Sequence, residues 1–227
     1  MMMRWSAATL ILAAGILMGA TPPQPEPHFT DFTVNGVELT QDDEGWRVAL
    51  PRLYWQDPAK APLADRDFMA LLPVDFADGV IEVEVKGELA QGAPEFARAF
   101  VGLAFRVNGG RFESIYLRPT NGVADDQVRR NHSVQYVAFP EWRFDRLRRE
   151  SPERYETAAD IAPGRWVKMR VEVVGNRAML FLDNRPSPVL IVNDLKHGAQ
   201  QRGGIGLWVE TGTVAHFRNL RIIHHER

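Results

Sequence analysis

Apolar and polar residues alternate with period two over most of the chain beyond residue 30. Ile81, Val83 and Val85 alternate with Glu82, Glu84 and Lys86, and Val101, Leu103, Phe105 and Val107 alternate with Gly102, Ala104, Arg106 and Asn108. Val167, Met169, Val171 and Val173 form one face of the next such run, with Lys168, Arg170 and Glu172 on the other. Alternation of this kind marks strands with one dry and one wet face. Gly175-Asn176 is a tight-turn pair before RAMLFLD, so residues 166–182 predict a hairpin. Residues 133–138, 188–192, 204–209 and 214–223 supply further strands. Helical signals are confined to 141–149 and 153–160. The pattern predicts an all-β, two-sheet antiparallel sandwich of ten or more short strands, with a few short helical turns in the 139–160 insertion. Neither a repeat nor a second composition regime interrupts it, so residues 30–227 read as one domain.

The first thirty residues follow another rule. Arg4 precedes an apolar run over residues 7–18, then Gly19-Ala20 offers a small-residue exit. That is the layout of a secretory signal peptide over residues 1–20, cleaved near Ala20 or kept as an anchor. The run is shorter than the roughly 20 residues that a bilayer span needs. A proline-rich tether over 21–29 follows. The expectation is an exported protein, periplasmic or extracellular, with no stable membrane span after cleavage. The chain has no cysteine, so an exported fold must rely on its core alone.

Composition removes several function classes. A formal charge of −2 provides no clustered basic surface for nucleic acid. The one basic run, residues 143–149, is followed by Glu150 and Glu153 and reads as a solvated face. The six histidines are scattered apart from His224-His225, and no nucleophile elbow, phosphate loop or dinucleotide fingerprint is present. Glu82 and Glu84 share one strand face at about 6.5–7 Å, near the separation of an inverting glycosidase pair. Solvated strand charges account for them as well.

Chemistry concentrates in RPTNGVADDQVRRNHSVQYV, residues 118–137, which lies between two predicted strands. Hairpin connections take about two to five residues, and this one is far longer. Asp126 or His132 can act there as a base and Arg130 can stabilise an anion, a candidate catalytic set. Arg118, Asn121, Asp125, Gln127, Arg129, Asn131, Gln135 and Tyr136 are candidate substrate-binding groups. The alternative is a lid ordered by internal salt bridges, such as Asp126 with Arg129 or Arg130. If Ile115 and Leu117 are buried, Tyr116 and Arg118 fall on an open sheet face. Burying Ile205, Leu207 and Val209 likewise sends Trp208 to an open face beside Glu210. Rings and directed polar groups on one face suit sugar, although Trp208 can equally pack under a loop.

DFADGVIEVEV, VGLAFRV, FESIYLRPTNGVADDQVRRNHSVQY, PGRWVKMRVEVVGNRAMLFLDN, PVLIVNDLKHG and GIGLWVETGTVAHFRNLRI together resemble a concanavalin A-like (LamG-type) jelly roll. Within that superfamily the chain is similar to the bacterial exported sandwiches near family 16 glycoside hydrolases and 3-keto-disaccharide hydrolases. The resemblance covers roughly residues 30–223 and implies a saccharide-facing sheet with a carbohydrate or glycoside as partner. The strand VIEVEVKG lacks the glutamate-aspartate-glutamate pattern of the hydrolysing sandwiches. On the keto-glycoside reading, Asp126 or His132 is the base, Arg118 or Arg130 stabilises the enolate, and a divalent metal is a candidate cofactor. A lectin-like binding module and a structural or protein-binding sandwich remain the alternatives.

Overall fold

The computed structural model describes residues 26–57, 59–60 and 65–225. The leader expected over 1–20 and most of the tether lie outside the described residues. Among the described residues, no helix is long and apolar enough to cross a membrane.

Among the described residues fourteen strands follow in order: β1 (Thr33–Asn35), β2 (Glu38–Asp42), β3 (Gly45–Ala49), β4 (Met69–Phe76), β5 (Gly79–Leu89), β6 (Val101–Asn108) and β7 (Arg111–Leu117) come first. Then come β8 (Val134–Phe139), β9 (Glu156–Thr157), β10 (Val167–Val174), β11 (Arg177–Leu182), β12 (Leu190–Val192), β13 (Gly203–Val209) and β14 (Thr213–His224). They form two seven-stranded antiparallel sheets. The first runs β1-β4-β13-β6-β7-β8-β9 and the second β12-β11-β10-β5-β14-β3-β2. The hairpin expected over 166–182 is β10 and β11, paired Val174 to Arg177 at its tip.

The second sheet keeps the alternation that its sequence prescribes. Ile81, Val83, Val171 and Phe217 are sealed in the core, while Glu82 and Glu84 stand on the wet face. There Glu84 accepts from Arg218 at 2.7 Å, and Glu82 lies 3.4 Å from Lys168. These glutamates are strand-surface charges, remote from the first sheet.

The central strands of the first sheet are dry on both faces, so every residue from Phe112 to Leu117 is buried. The inner face carries Val101, Leu103, Ile115 and Leu207. It meets the second sheet so closely that a Cβ on Gly87 of β5 would lie 2.9 Å from Val101. The outer face carries Met69, Trp208, Gly102, Tyr116 and Gln135 as one row of register partners across five strands. The open face expected for Tyr116 and Trp208 is therefore corrected. Both are fully buried, because the connections around residues 65–68, 94–100, 118–133 and 143–148 roof this side.

Gly102 makes the outer row possible. Tyr116 on β7 and Trp208 on β13 flank β6, and their rings stack over Gly102 with centroids 4.6 Å apart. A Cβ at Gly102 would sit 2.5 Å from both Cα and Cβ of Tyr116. Each ring thus leans into space that a side chain would fill.

Three short helices interrupt the strands: α1 (Pro119–Gly122), α2 (Gln127–Asn131) and α3 (Phe144–Glu150). The polar connection is therefore partly helical, which alternation could not foretell. Pro119 opens α1, where a missing N–H costs nothing, and Asp126 caps α2. Only α3 falls in the expected 139–160 insertion. It starts late because Trp142 pairs back onto Ala138. Residues 153–160 do not wind; Glu156 and Thr157 pair with Gln135 and Val134 as β9.

Gly102→Ala should lower stability by about 1–3 kcal/mol, as overpacking in a filled core does. Urea denaturation, with near-ultraviolet circular dichroism as probe of the ring stack, checks this. An unchanged midpoint would refute the account of the Gly102 notch.

Candidate functional site

The roofed face leaves one cleft of about 300 Å³. Phe96, Phe100 and Phe144 give it apolar walls, Arg98, Arg118, Arg129 and Arg148 give it positive charge, and Asn121, His132, Glu210 and Thr211 complete it. The 94–100 connection, α1, α2, α3 and the end of β13 all contribute.

Arg118 is the best-held group. Its Nη2 donates to the Tyr116 hydroxyl at 2.9 Å, and its Nη1 donates to the His132 carbonyl at 3.1 Å and Gln135 Oε1 at 3.3 Å. The Tyr116 hydroxyl donates in turn to Asp65 Oδ1 at 2.7 Å, and Asp65 Oδ2 accepts the Phe144 amide at 2.6 Å. Burial raises the Asp65 carboxyl above its usual range, against the pull of these donors and of Arg118. The guanidinium planes of Arg118 and Arg148 lie 5.4 and 5.3 Å from the Phe144 ring, within cation–π range. Burial depresses the Arg98 guanidinium, and its neighbours Arg129 and Arg118 add to the effect.

His132 sits at the end of an ion chain. Its Nε2 lies 3.2 Å from Glu156 Oε1, and Arg148 Nη2 donates to Glu156 Oε2 at 2.6 Å. Burial lowers the imidazole pKa, with Arg148 and Arg118 adding to the fall and Glu156 opposing it. The shift favours the neutral ring. If the neutral ring keeps its proton on Nε2, beside Glu156, its lone pair lies on Nδ1, as a base requires.

Glu210 is the other proton-active group. Its Oε2 accepts the Arg66 amide at 3.1 Å, and its Oε1 accepts the amide and hydroxyl of Thr211 at 2.8 and 2.9 Å. Burial nevertheless pushes its carboxyl up to about 7. The charged form has lost more hydration than three hydrogen bonds return.

Of the residues singled out in the sequence, Arg118, Asn121, Arg129 and His132 converge on the cleft. Asn121 donates to the His132 carbonyl at 3.1 Å, which ties α1 to the end of α2. Tyr116 and Gln135 lie beneath as supports for Arg118. Trp208 is no open platform, since its indole N–H donates to the Arg66 carbonyl at 2.6 Å below the roof. Tyr136 pairs in register with Ile115 and so shares its inner face; its hydroxyl donates to Glu113. Asp126 spends its carboxylate on the Arg129 amide, at 2.8 Å, as the cap of α2 rather than on a guanidinium. Arg130 donates to the Ala124 carbonyl at 3.3 Å, and Gln127 to Asn131 at 2.7 Å. Asp125, Asp126, Gln127 and Arg130 are exposed and do not line the cleft. Among the described residues no group of three or more His, Asp or Glu is placed to hold a metal ion, and no step below is routed through one.

Seven lining residues lay outside the sequence-based set, Thr211 among them. Phe144 and Arg148 have the i, i+4 spacing that puts both on one face of α3, a signal inside the run read as solvated. Glu210 was visible as the acid following Trp208. Phe96, Arg98 and Phe100 sit in an irregular connection whose pattern carries no signal.

Two seven-stranded antiparallel sheets packed face to face make a jelly-roll sandwich of the concanavalin A-like kind. The family model described as 3-keto-alpha-glucoside-1,2-lyase-like domain matches residues 69–223, more than half of the 227-residue chain. The chain belongs to that carbohydrate-related family. No curated protein matches it. Among solved structures, the carbohydrate binding module CBM66 from Bacillus subtilis superposes with a TM-score of 0.55 at 15% identity, covering 84% of this chain and 93% of that one. A Bacillus subtilis protein of unknown function with a galectin-like fold gives 0.51 at 12% identity, covering 87% and 90%. A functionally unknown protein from Saccharomyces cerevisiae also gives 0.51 at 12%, covering 88% and 100%. At these identities the likeness is one of fold.

The Glu210 carboxyl predicts a pH dependence with a definite sign. Below pH 4.5 it is neutral in both folded and unfolded chains. Between 4.5 and about 7 the unfolded chain ionises while the native one keeps its proton. Stability therefore falls as pH rises through that window, by on the order of 3 kcal/mol, and levels above it. Glu210→Gln mimics the neutral form and should remove this component. Thermal melts of both proteins from pH 4 to 8 check it through their difference.

Proposed function

We propose that the cleft binds a 3-keto-glycoside and expels its aglycone by elimination across C1 and C2. The observation that carries this reading is the convergence on one cleft of His132, set beside Glu156, and the buried guanidinium of Arg118. A ketone at C3 acidifies the C2–H bond. His132 takes that proton, and the bond's electron pair moves into the C3 carbonyl as an enolate. Arg118, fixed by Tyr116, Gln135 and the His132 carbonyl, stabilises the enolate oxygen without having to reorganise, and Arg98 and Arg129 add to the field. The enolate collapses to a C1–C2 double bond as the C1–O bond breaks. The leaving oxygen is protonated by the imidazolium, which restores His132. Water adding across the new double bond would convert the outcome to net hydrolysis. The phenylalanine walls suit the apolar faces of a sugar ring, and membership of the 3-keto-alpha-glucoside-1,2-lyase-like family supports the substrate class.

A second reading is sugar binding without turnover. It is favoured by the sandwich's likeness to the carbohydrate binding module from Bacillus subtilis. Export, to the periplasm or beyond, belongs to the proposal through the Arg4 and residue 7–18 leader.

The test uses the mature chain with aryl 3-keto-glycosides, following aglycone release. Wild type should turn over. His132→Gln should lower kcat/KM by about 10²–10⁴, and Arg118→Lys by about 10²–10³, each with a melting temperature that certifies the fold. Saturable binding without release supports the second reading, and full activity in His132→Gln rejects the base assignment.

A further inference from the structure

Several arginines of the molecule are matched one to one with carboxylates. Arg111 meets Glu141 at 2.5 Å, Arg165 meets Asp183 at 2.9 Å and Arg218 meets Glu84 at 2.7 Å. Of the four that line the cleft, only Arg148 is matched in this way, with Glu156 at 2.6 Å. Among the described residues, the side chains of Arg98, Arg118 and Arg129 hydrogen-bond to neutral groups alone. Arg98 Nη1 donates to the carbonyls of Glu95 and Ala97 at 2.6 and 2.8 Å, and Arg129 Nη2 donates to Asn121 Oδ1 at 3.5 Å. Arg118 donates to the Tyr116 hydroxyl, the Gln135 amide oxygen and the His132 carbonyl.

The three are gathered rather than scattered. Arg118 and Asn121 donate to the same His132 carbonyl, Arg129 reaches Asn121, and the Thr120 amide donates to the Arg98 carbonyl at 3.4 Å. One short helix, α1, thus draws together arginines from three segments. From foot to mouth, Arg118 is buried, Arg98 half-buried and Arg129 exposed. Besides burial, the charges of Arg129 and Arg118 weaken the hold of Arg98 on its proton, so the groups repel one another. Among the described residues of the lining, Glu210 is the only carboxyl. Its oxygens are turned to the amides of Arg66 and Thr211 and to the Thr211 hydroxyl.

Four guanidiniums against one carboxyl is a lining that an anion would balance. Each guanidinium offers five N–H donors in a planar fork. Arg98 and Arg129 have each committed one nitrogen to the protein, which leaves an edge of each fork for a two-oxygen partner. A neutral sugar gives such charges nothing to neutralise, since amides and hydroxyls serve its hydroxyl groups equally well.

We propose that the ring bound in the cleft is acidic, with a carboxylate or a sulfate ester that Arg98 and Arg129 hold while Arg118 faces the keto oxygen. It rests on the glycoside reading above for the ring, and on the three arginines for the charge. The substituent completes a balance that the fold leaves open, and the same field draws an acidic sugar towards the mouth.

Calorimetry on the mature chain compares methyl glucuronide, methyl glucoside 6-sulfate and neutral methyl glucoside, with acetate and inorganic sulfate as controls for bare charge. At least one acidic sugar should bind about ten- to a hundredfold tighter than the neutral one, and its identity names the oxyanion. Arg98→Gln and Arg129→Gln should each cut that preference about tenfold, and Arg129→Glu should invert it. Arg129 is exposed, so its variants keep the test sound should Arg98→Gln fail to fold. Equal affinity for acidic and neutral sugars, a preference unmoved in the variants, or no binding by any sugar overturns the acidic ring. Acetate or sulfate binding as tightly as the acidic sugars overturns it too. Aglycone release from an aryl 3-keto-glucoside is followed in parallel. Release without an acidic preference strikes the charge and leaves the elimination reading standing, whereas an acidic preference without release from keto-glucoside or keto-glucuronide does the reverse.

Discussion

A guanidinium almost sealed from water sits at the foot of the cleft, and much of the site is arranged to satisfy it. Arg118 retains only 5% of its exposure. An unpaired charge so placed would cost far more than any single packing interaction returns. Its partners come from three directions: the Tyr116 hydroxyl on β7, Gln135 on β8, and the carbonyl that ends α2. The Tyr116 hydroxyl then commits Asp65, and Asp65 commits the first amide of α3. One buried charge thus fixes a strand, two helix ends and a connection that is remote in sequence. Rigid placement of a donor before substrate arrives is what an enolate-stabilising site requires.

The same chain of commitments explains the protonation states. Two carboxyls, Asp65 and Glu210, are raised by burial, and one imidazole, His132, is lowered by it. All three shifts move towards the neutral form, as a dry environment dictates. The guanidiniums keep their charge even where burial depresses one, as at Arg98, so the cleft stays positive. Glu156 is the counterweight, held by Arg148 from one side and His132 from the other.

The strands were legible because period two needs only local sequence. The run from Ile81 to Val85 and the 166–182 hairpin stand where their alternation puts them. Alternation also placed Tyr116 and Trp208 on the outer side of their sheet, yet could not reveal the roof that buries them. That roof comes from segments without periodicity, which a strand pattern does not read. Within the polar connection, residue type alone could not separate Arg118, which turns inward, from Arg130, which turns to solvent. Asp126 looked like a base and is a helix cap, the commonest use of an aspartate just before a helix. Arg148 hid in a run of charges because only the helical face of α3 shows that it shares a side with Phe144.

The cleft has two kinds of boundary. Its support is the strand row over Gly102, where one added carbon would collide with backbone. Its walls are α1, α2, α3 and the 94–100 connection, which rest on the sandwich without threading through it. Changes in the walls can therefore reshape what fits while leaving the sheet register intact, whereas changes in the support strike the core. Such a division gives this scaffold a wide mutational range for altering ligand preference and a narrow one for altering the machinery beneath.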